Sequence, residues 1–106
     1  MAEIVLRRAT SDGVVSAKPG DTLVVELEEN LSTGYSWQIA SQPSWCDLIA
    51  SEHSPATSDL MGASGIHRFR LLIADVGAGA IELSYRRPWE SLEAESDHVS
   101  IQVDAR

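Results

Sequence analysis

Apolar and polar residues alternate along this chain with a period of two, and no other feature limits its fold so strongly. From Thr22 to Glu28, Leu23, Val25 and Leu27 share one side while Val24, Glu26 and Glu28 share the other. His67, Phe69, Leu71 and Ile73 alternate with Arg68, Arg70 and Leu72. Ile81, Leu83 and Tyr85 alternate with Glu82, Ser84 and Arg86, and Val99, Ile101 and Val103 with Ser100, Gln102 and Asp104. Successive side chains of an extended strand point to opposite faces, so each run reads as a strand with one face on a core and one toward water. Tyr35, Trp37 and Ile39 mark a shorter strand, Cys46 to Ser51 a weaker one, and residues 3–8 and 13–17 one or two more. Turn signals separate the runs at Pro19-Gly20-Asp21 and at Asp75-Val76-Gly77-Ala78-Gly79. Seven or eight short strands in 106 residues predict an all-β, immunoglobulin-like β-sandwich, with residues 1–106 forming a single domain.

Composition removes several classes of function. A net charge of −8 argues against nucleic acid as a partner, because phosphate binding relies on clustered lysine and arginine. No stretch approaches the roughly 18 apolar residues of a membrane span, so no membrane partner is expected. Residues 1–20 carry Arg7, Arg8 and Asp12 and no apolar run of the kind a signal peptide needs, which leaves a cytoplasmic or an exported location open. Cys46 is the single cysteine, so the fold rests on packing rather than on an internal disulfide. A nucleophilic cysteine needs a base and an orienting group, and no histidine is expected beside Cys46. His53, His67 and His98 lack metal-ligand spacing, and His67, in the inward phase of its strand, reads as a satisfied core or rim histidine. We therefore expect no enzyme, no catalytic residue, no cofactor and no metal.

Parity then locates the unusual loops. In a sandwich each strand crosses the full height, so successive connections alternate between its two ends. Loops 29–34, 53–65 and 87–96 fall at one pole, and the shorter 41–45 and 74–79 at the other. The first pole collects Asn30-Leu31-Ser32-Thr33-Gly34-Tyr35, Gly62-Ala63-Ser64-Gly65 and Arg87-Pro88-Trp89. Three such loops on one rim form a binding surface in the manner of antibody loops. The third loop also carries Glu90, Glu93, Glu95 and Asp97, an acidic run that reads as solvated.

These three segments resemble, in order and spacing, the N-P-T-T-G-[YF], G-x-G-G and R-P-[FW] loops of chagasin-type inhibitors of papain-like cysteine peptidases. A tryptophan follows the first motif by two residues, here Trp37, and the likeness runs from about residue 10 to 104. Leu31 stands where the family has proline and Ser64 where it has glycine, changes that bear on loop stiffness and affinity. The resemblance implies a tripartite wedge: the first loop enters the peptidase cleft near the catalytic cysteine, and the outer two grip its walls. It implies a reversible, competitive inhibitor whose partner is a papain-like peptidase, and a free rim favours a monomer. The peptidase-binding residues would be Asn30, Leu31, Ser32, Thr33, Gly34, Tyr35, Gly62, Ala63, Ser64, Gly65, Arg87, Pro88 and Trp89.

Each feature also has a plainer reading. Ser-Thr-Gly makes an ordinary turn, Trp89 folded onto the rim is simple packing, and Arg87 either stacks beside Trp89, bonds a partner or is solvated. Trp37, in phase with Ile39, belongs to the core, and Trp45 is given no function. Asn30-Leu31-Ser32 is a glycosylation sequon, and a glycan there would obstruct entry into a cleft, so the inhibitory reading requires a setting that leaves it bare. The alternative function is a non-inhibitory immunoglobulin-like binding or adhesion module using the same rim.

Overall fold

The computed structural model describes residues 2–7, 13–29, 34–54, 65–87, 89 and 97–106. Among them eight strands and no helix occur: β1 (Glu3–Arg7), β2 (Val14–Ala17), β3 (Thr22–Glu29), β4 (Ser36–Ser41), β5 (Cys46–Ser54), β6 (Gly65–Ile73), β7 (Gly77–Arg86) and β8 (Asp97–Ala105). They form two four-stranded sheets, ordered β1-β3-β6-β5 and β2-β8-β7-β4. β1 lies parallel to β3 and β2 parallel to β8, while the other pairs are antiparallel. The expected all-β sandwich is the observed fold.

The alternation read from the sequence is the packing. Leu23, Val25 and Leu27 of β3 meet Phe69, Leu71 and Ile73 of β6 on the inner face of the first sheet, all nearly or fully buried. Ile81 and Leu83 of β7 and Val99, Ile101 and Val103 of β8 cover them from the second. Two positions expected to face water, Val24 of β3 and Ser84 of β7, are instead buried, and the charged positions on the outer face of the first sheet pair across strands. Arg68 donates to Glu26 from Nε at 2.9 Å and from Nη2 at 2.6 Å, Arg7 lies 3.4 Å from Glu26, and Arg70 bridges Glu3 at 3.3 Å and Glu52 at 3.6 Å. Such half-exposed ladders contribute a few tenths of a kcal/mol per pair and keep the sheet's outer face wet.

The pole opposite the candidate rim is closed by short connections. Asp21 accepts the Ala2 N–H at Oδ1 and the Lys18 N–H at Oδ2, both at 2.9 Å, which pins the start of the chain beside β3. Ala74 N donates to the Trp45 carbonyl at 2.8 Å. One boundary differs from the sequence reading: Gly77 and Gly79, expected in a turn, begin β7. Their missing side chains leave a trough that Trp45 and Pro43 fill. A Cβ on Gly77 would overlap the Trp45 indole, and one on Gly79 would stand 3.0 Å from Pro43 Cγ. Trp45 is therefore a packing residue of this pole.

Candidate functional site

Strand register places the three loop-bearing connections at one pole. Glu29 at the end of β3 pairs with Gly65 at the start of β6, Ser54 at the end of β5 with Ile66, Ser36 at the start of β4 with Arg86, and Tyr85 with Asp97. The two sheets are tied together there. Trp37 Nε1–H of β4 donates to the Glu28 carbonyl of β3 at 2.9 Å, and the indole itself is buried in the core. The stems of the loops that parity assigned to one rim thus converge.

Among the expected site residues, Asn30, Leu31, Ser32, Thr33, Gly62, Ala63, Ser64 and Pro88 lie outside the described residues, as do Glu90, Glu93 and Glu95. Gly34, Tyr35, Gly65, Arg87 and Trp89 are described. Gly34 has φ of +82°, a left-handed conformation that glycine adopts without penalty. A Cβ placed on it would stand 3.8 Å from Nε of Arg87 and 3.8 Å from Cη2 of Trp89, so the end of the first loop lies beside the third with room for no more than a methyl group between them. Trp89 is nevertheless 75% exposed, so most of the indole faces outward.

Below these residues an aromatic column leads into the core. The Arg87 guanidinium lies over the Tyr35 ring at 4.9 Å, Tyr35 stacks on Tyr85 at 5.6 Å, and Tyr85 meets Trp37 at 5.0 Å. Cation–π and stacked-ring contacts of this kind each contribute about 0.5–1.5 kcal/mol. Arg87 therefore stacks on Tyr35, and Tyr35 supports the rim from beneath. Gly65 ends the second motif as a structural residue. It is buried, and a Cβ there would run into the Ser54 carbonyl and the His53 ring. Its role is to let β5 and β6 close together at the foot of the 55–64 segment.

A polar cluster lies under the rim that the sequence reading did not anticipate. The Glu29 side chain, 1% exposed, accepts the Trp37 backbone N–H at 2.7 Å and His67 Nδ1 at 2.8 Å on Oε2, and meets His53 Nδ1 at 3.0 Å on Oε1. His67 stacks on Phe69 at 4.1 Å. The signal was present in the phase of β3. Glu29 continues the inward series Leu23, Val25, Leu27, and a polar residue in an apolar phase needs a buried partner.

Ser51 Oγ stands 2.7 Å from Nε2 of His67, which extends the cluster to a Ser–His–Glu order. Hydrolytic triads also need converging N–H donors beside the nucleophile. Ser51 sits within β5, paired with Phe69, where backbone donors point along the sheet rather than toward the side chain. Cys46 begins the same nine-residue strand, seven residues and so roughly 23 Å from His53, and among the described residues no histidine lies beside it. Burial pushes its thiol up to about 11, with the Asp47 carboxylate adding to the effect. The site is built for contact rather than for turnover.

Comparison with known proteins agrees with the motifs. The sequence model of the chagasin family of peptidase inhibitors, I42, matches residues 16–103. Chagasin of Trypanosoma cruzi is 23% identical over 103 residues, covering 92% of this chain and 94% of that protein. The crystal structure of a cysteine protease inhibitor from Entamoeba histolytica superposes with a TM-score of 0.83 at 24% identity, over 99% of this chain and 96% of the other. PbICP-C, solved in complex with falcipain-2, gives a TM-score of 0.58 at 18% identity, over 98% of this chain and 89% of its own.

Proposed function

The chain belongs to the chagasin family of peptidase inhibitors, and from that premise we propose that it inhibits papain-like cysteine peptidases reversibly and competitively, as one inhibitory unit and as a monomer. Loops 29–34, 53–65 and 87–96 would occlude the active-site cleft together. The observation that carries this reading is the nearness of Gly34 to Arg87 and Trp89, which brings the end of the first loop beside the third at one exposed rim.

The physical account has three parts. Gly34 lacks a Cβ, so backbone at the first loop can approach a recessed nucleophile closely, and Ser32 and Thr33 bring hydroxyls to polar groups in the cleft. Trp89 offers a large rigid surface beside it, and an aromatic of this kind loses little entropy while covering much area. The column of Arg87, Tyr35, Tyr85 and Trp37 holds the rim in place before binding, which lowers the cost of association. The first loop would present its backbone in a non-productive pose, so the complex forms without a covalent bond and the chain is not cleaved. An interface of roughly 800 Å² per partner would suffice. Among similar structures, PbICP-C is seen bound to falcipain-2, and that pairing supports a cysteine peptidase as the partner class.

The reading is tested by titrating papain with the purified chain against a fluorogenic substrate. Inhibition that is overcome by substrate, with the chain recovered intact, supports it. Full activity at micromolar inhibitor contradicts it.

A further inference from the structure

One side chain reaches the stems of two loops at once. Glu29 is the last residue of β3, directly before the 30–33 segment. Its Oε2 takes the N–H of Trp37, on the strand that follows that segment, at 2.7 Å. The same oxygen meets His67 of β6 at 2.8 Å, and Oε1 meets His53 of β5 at 3.0 Å. His53 and His67 are register partners just below the 55–64 segment, and His53 also touches the space where a Gly65 side chain would be. A carboxylate 1% exposed has little water to turn to, so its three partners hold it and it holds them.

We propose that Glu29 is the positioning residue of the rim: its carboxylate fixes the stem of the 30–33 loop relative to the stem of the 55–64 loop. Three geometric facts support this. The bonds run across strands β3, β4, β5 and β6 and across both sheets, so they constrain relative position rather than local conformation. They lie at the loop-bearing pole, beyond the last buried aliphatic residue of β3, Leu27. They also supply cross-sheet tethers at the pole where the chain must present several segments in register. The functional consequence, that Glu29 sets the speed and tightness of peptidase capture, rests on the inhibitory reading above. The structural half does not.

The experiment compares wild type with Glu29→Gln, His53→Phe and Val103→Ala. Glutamine keeps the size and an acceptor for Trp37 N–H but removes the charge and puts an NH2 donor in place of one oxygen, so it meets His53 Nδ1 only if that nitrogen carries no proton; His53→Phe cuts only the β5 tether, and Val103→Ala weakens the core away from this cluster. Amide hydrogen exchange in the free proteins should quicken at Gly34, Trp37 and Gly65 in the first two and stay at the wild-type rate in the third. Association with papain should slow at least about tenfold in Glu29→Gln, by less in His53→Phe, and by under about twofold in Val103→Ala, at temperatures where all are folded. Unchanged rim exchange in Glu29→Gln overturns the proposal, as does equal slowing by Val103→Ala. Should wild type fail to bind papain, the inhibitory reading falls, and the exchange comparison still decides whether Glu29 holds the rim.

Discussion

Trp89 stands beside Gly34, so that a methyl group on the glycine would lie 3.8 Å from Cη2 of the indole. That space is ordinary contact, but the backbone at Gly34 has φ of +82°, where an L side chain is strained. Gly34→Ala should therefore lose about 1–2 kcal/mol of stability through backbone strain rather than through a clash. Urea unfolding measures the loss. Inhibition should weaken with it, because relief of the strain moves the first loop away from Trp89.

Trp89→Ala should separate stability from binding. The side chain is 75% exposed, so its removal should change unfolding free energy by no more than about 0.5 kcal/mol. As a central aromatic anchor it should contribute at least about 2 kcal/mol to the complex, near a thirtyfold rise in inhibition constant. A variant as potent as wild type would remove Trp89 from the interface.

Cys46 should be silent in the native protein. Its residue is 1% exposed, and burial, reinforced by Asp47, raises the thiol to about 11, so thiolate is scarce at neutral pH. Iodoacetamide at pH 7.5 should leave the folded chain unlabelled and modify it fully in denaturant, as mass spectrometry would record. Rapid labelling without unfolding would contradict the packing described.

Asp21 should make part of the stability acid-sensitive. Hydrogen bonds from the Ala2 N–H first, then the Lys18 N–H, hold its carboxyl below the ordinary value of 3.8. The folded state therefore favours the ionised form. Its contribution is complete above the unfolded value and is lost as pH falls through the folded one. Asp21→Asn should be less stable than wild type at pH 7, and the gap should shrink as pH drops below about 4. Thermal melts from pH 7 to pH 2 would trace it. A gap that stays constant with pH would contradict the assignment.

How much of this was legible in the sequence depends on what sets each feature. Leu23, Val25 and Leu27 announce a strand because a period of two has one structural meaning, and the pole of each loop follows from counting strands. That count puts Gly34 and Trp89 on one rim, and their nearness agrees with it. The Glu29 cluster was hidden because Glu29 reads as the first residue of loop 29–34, whereas β3 runs one residue further and turns it inward, and its partners arrive from strands whose register no local pattern reveals. His53 lay beyond the expected end of the weak strand Cys46 to Ser51, whereas β5 runs to Ser54. Gly77 and Gly79 read as a turn because glycine punctuates loops. In the fold they are strand residues whose bareness admits Trp45 and Pro43. Local chemistry was readable in each case, and long-range pairing was not.

Hydrogen exchange of the chain, free and mixed with papain, tests the central claim most directly. Slowed exchange confined to the segments around 29–36, 54–66 and 85–97, with 17–21, 42–46 and 74–77 unchanged, is the predicted footprint of a wedge that enters the cleft by one pole. Protection centred on the Asp21 and Trp45 pole, or on the charged outer face at Glu26 and Arg68, would contradict it.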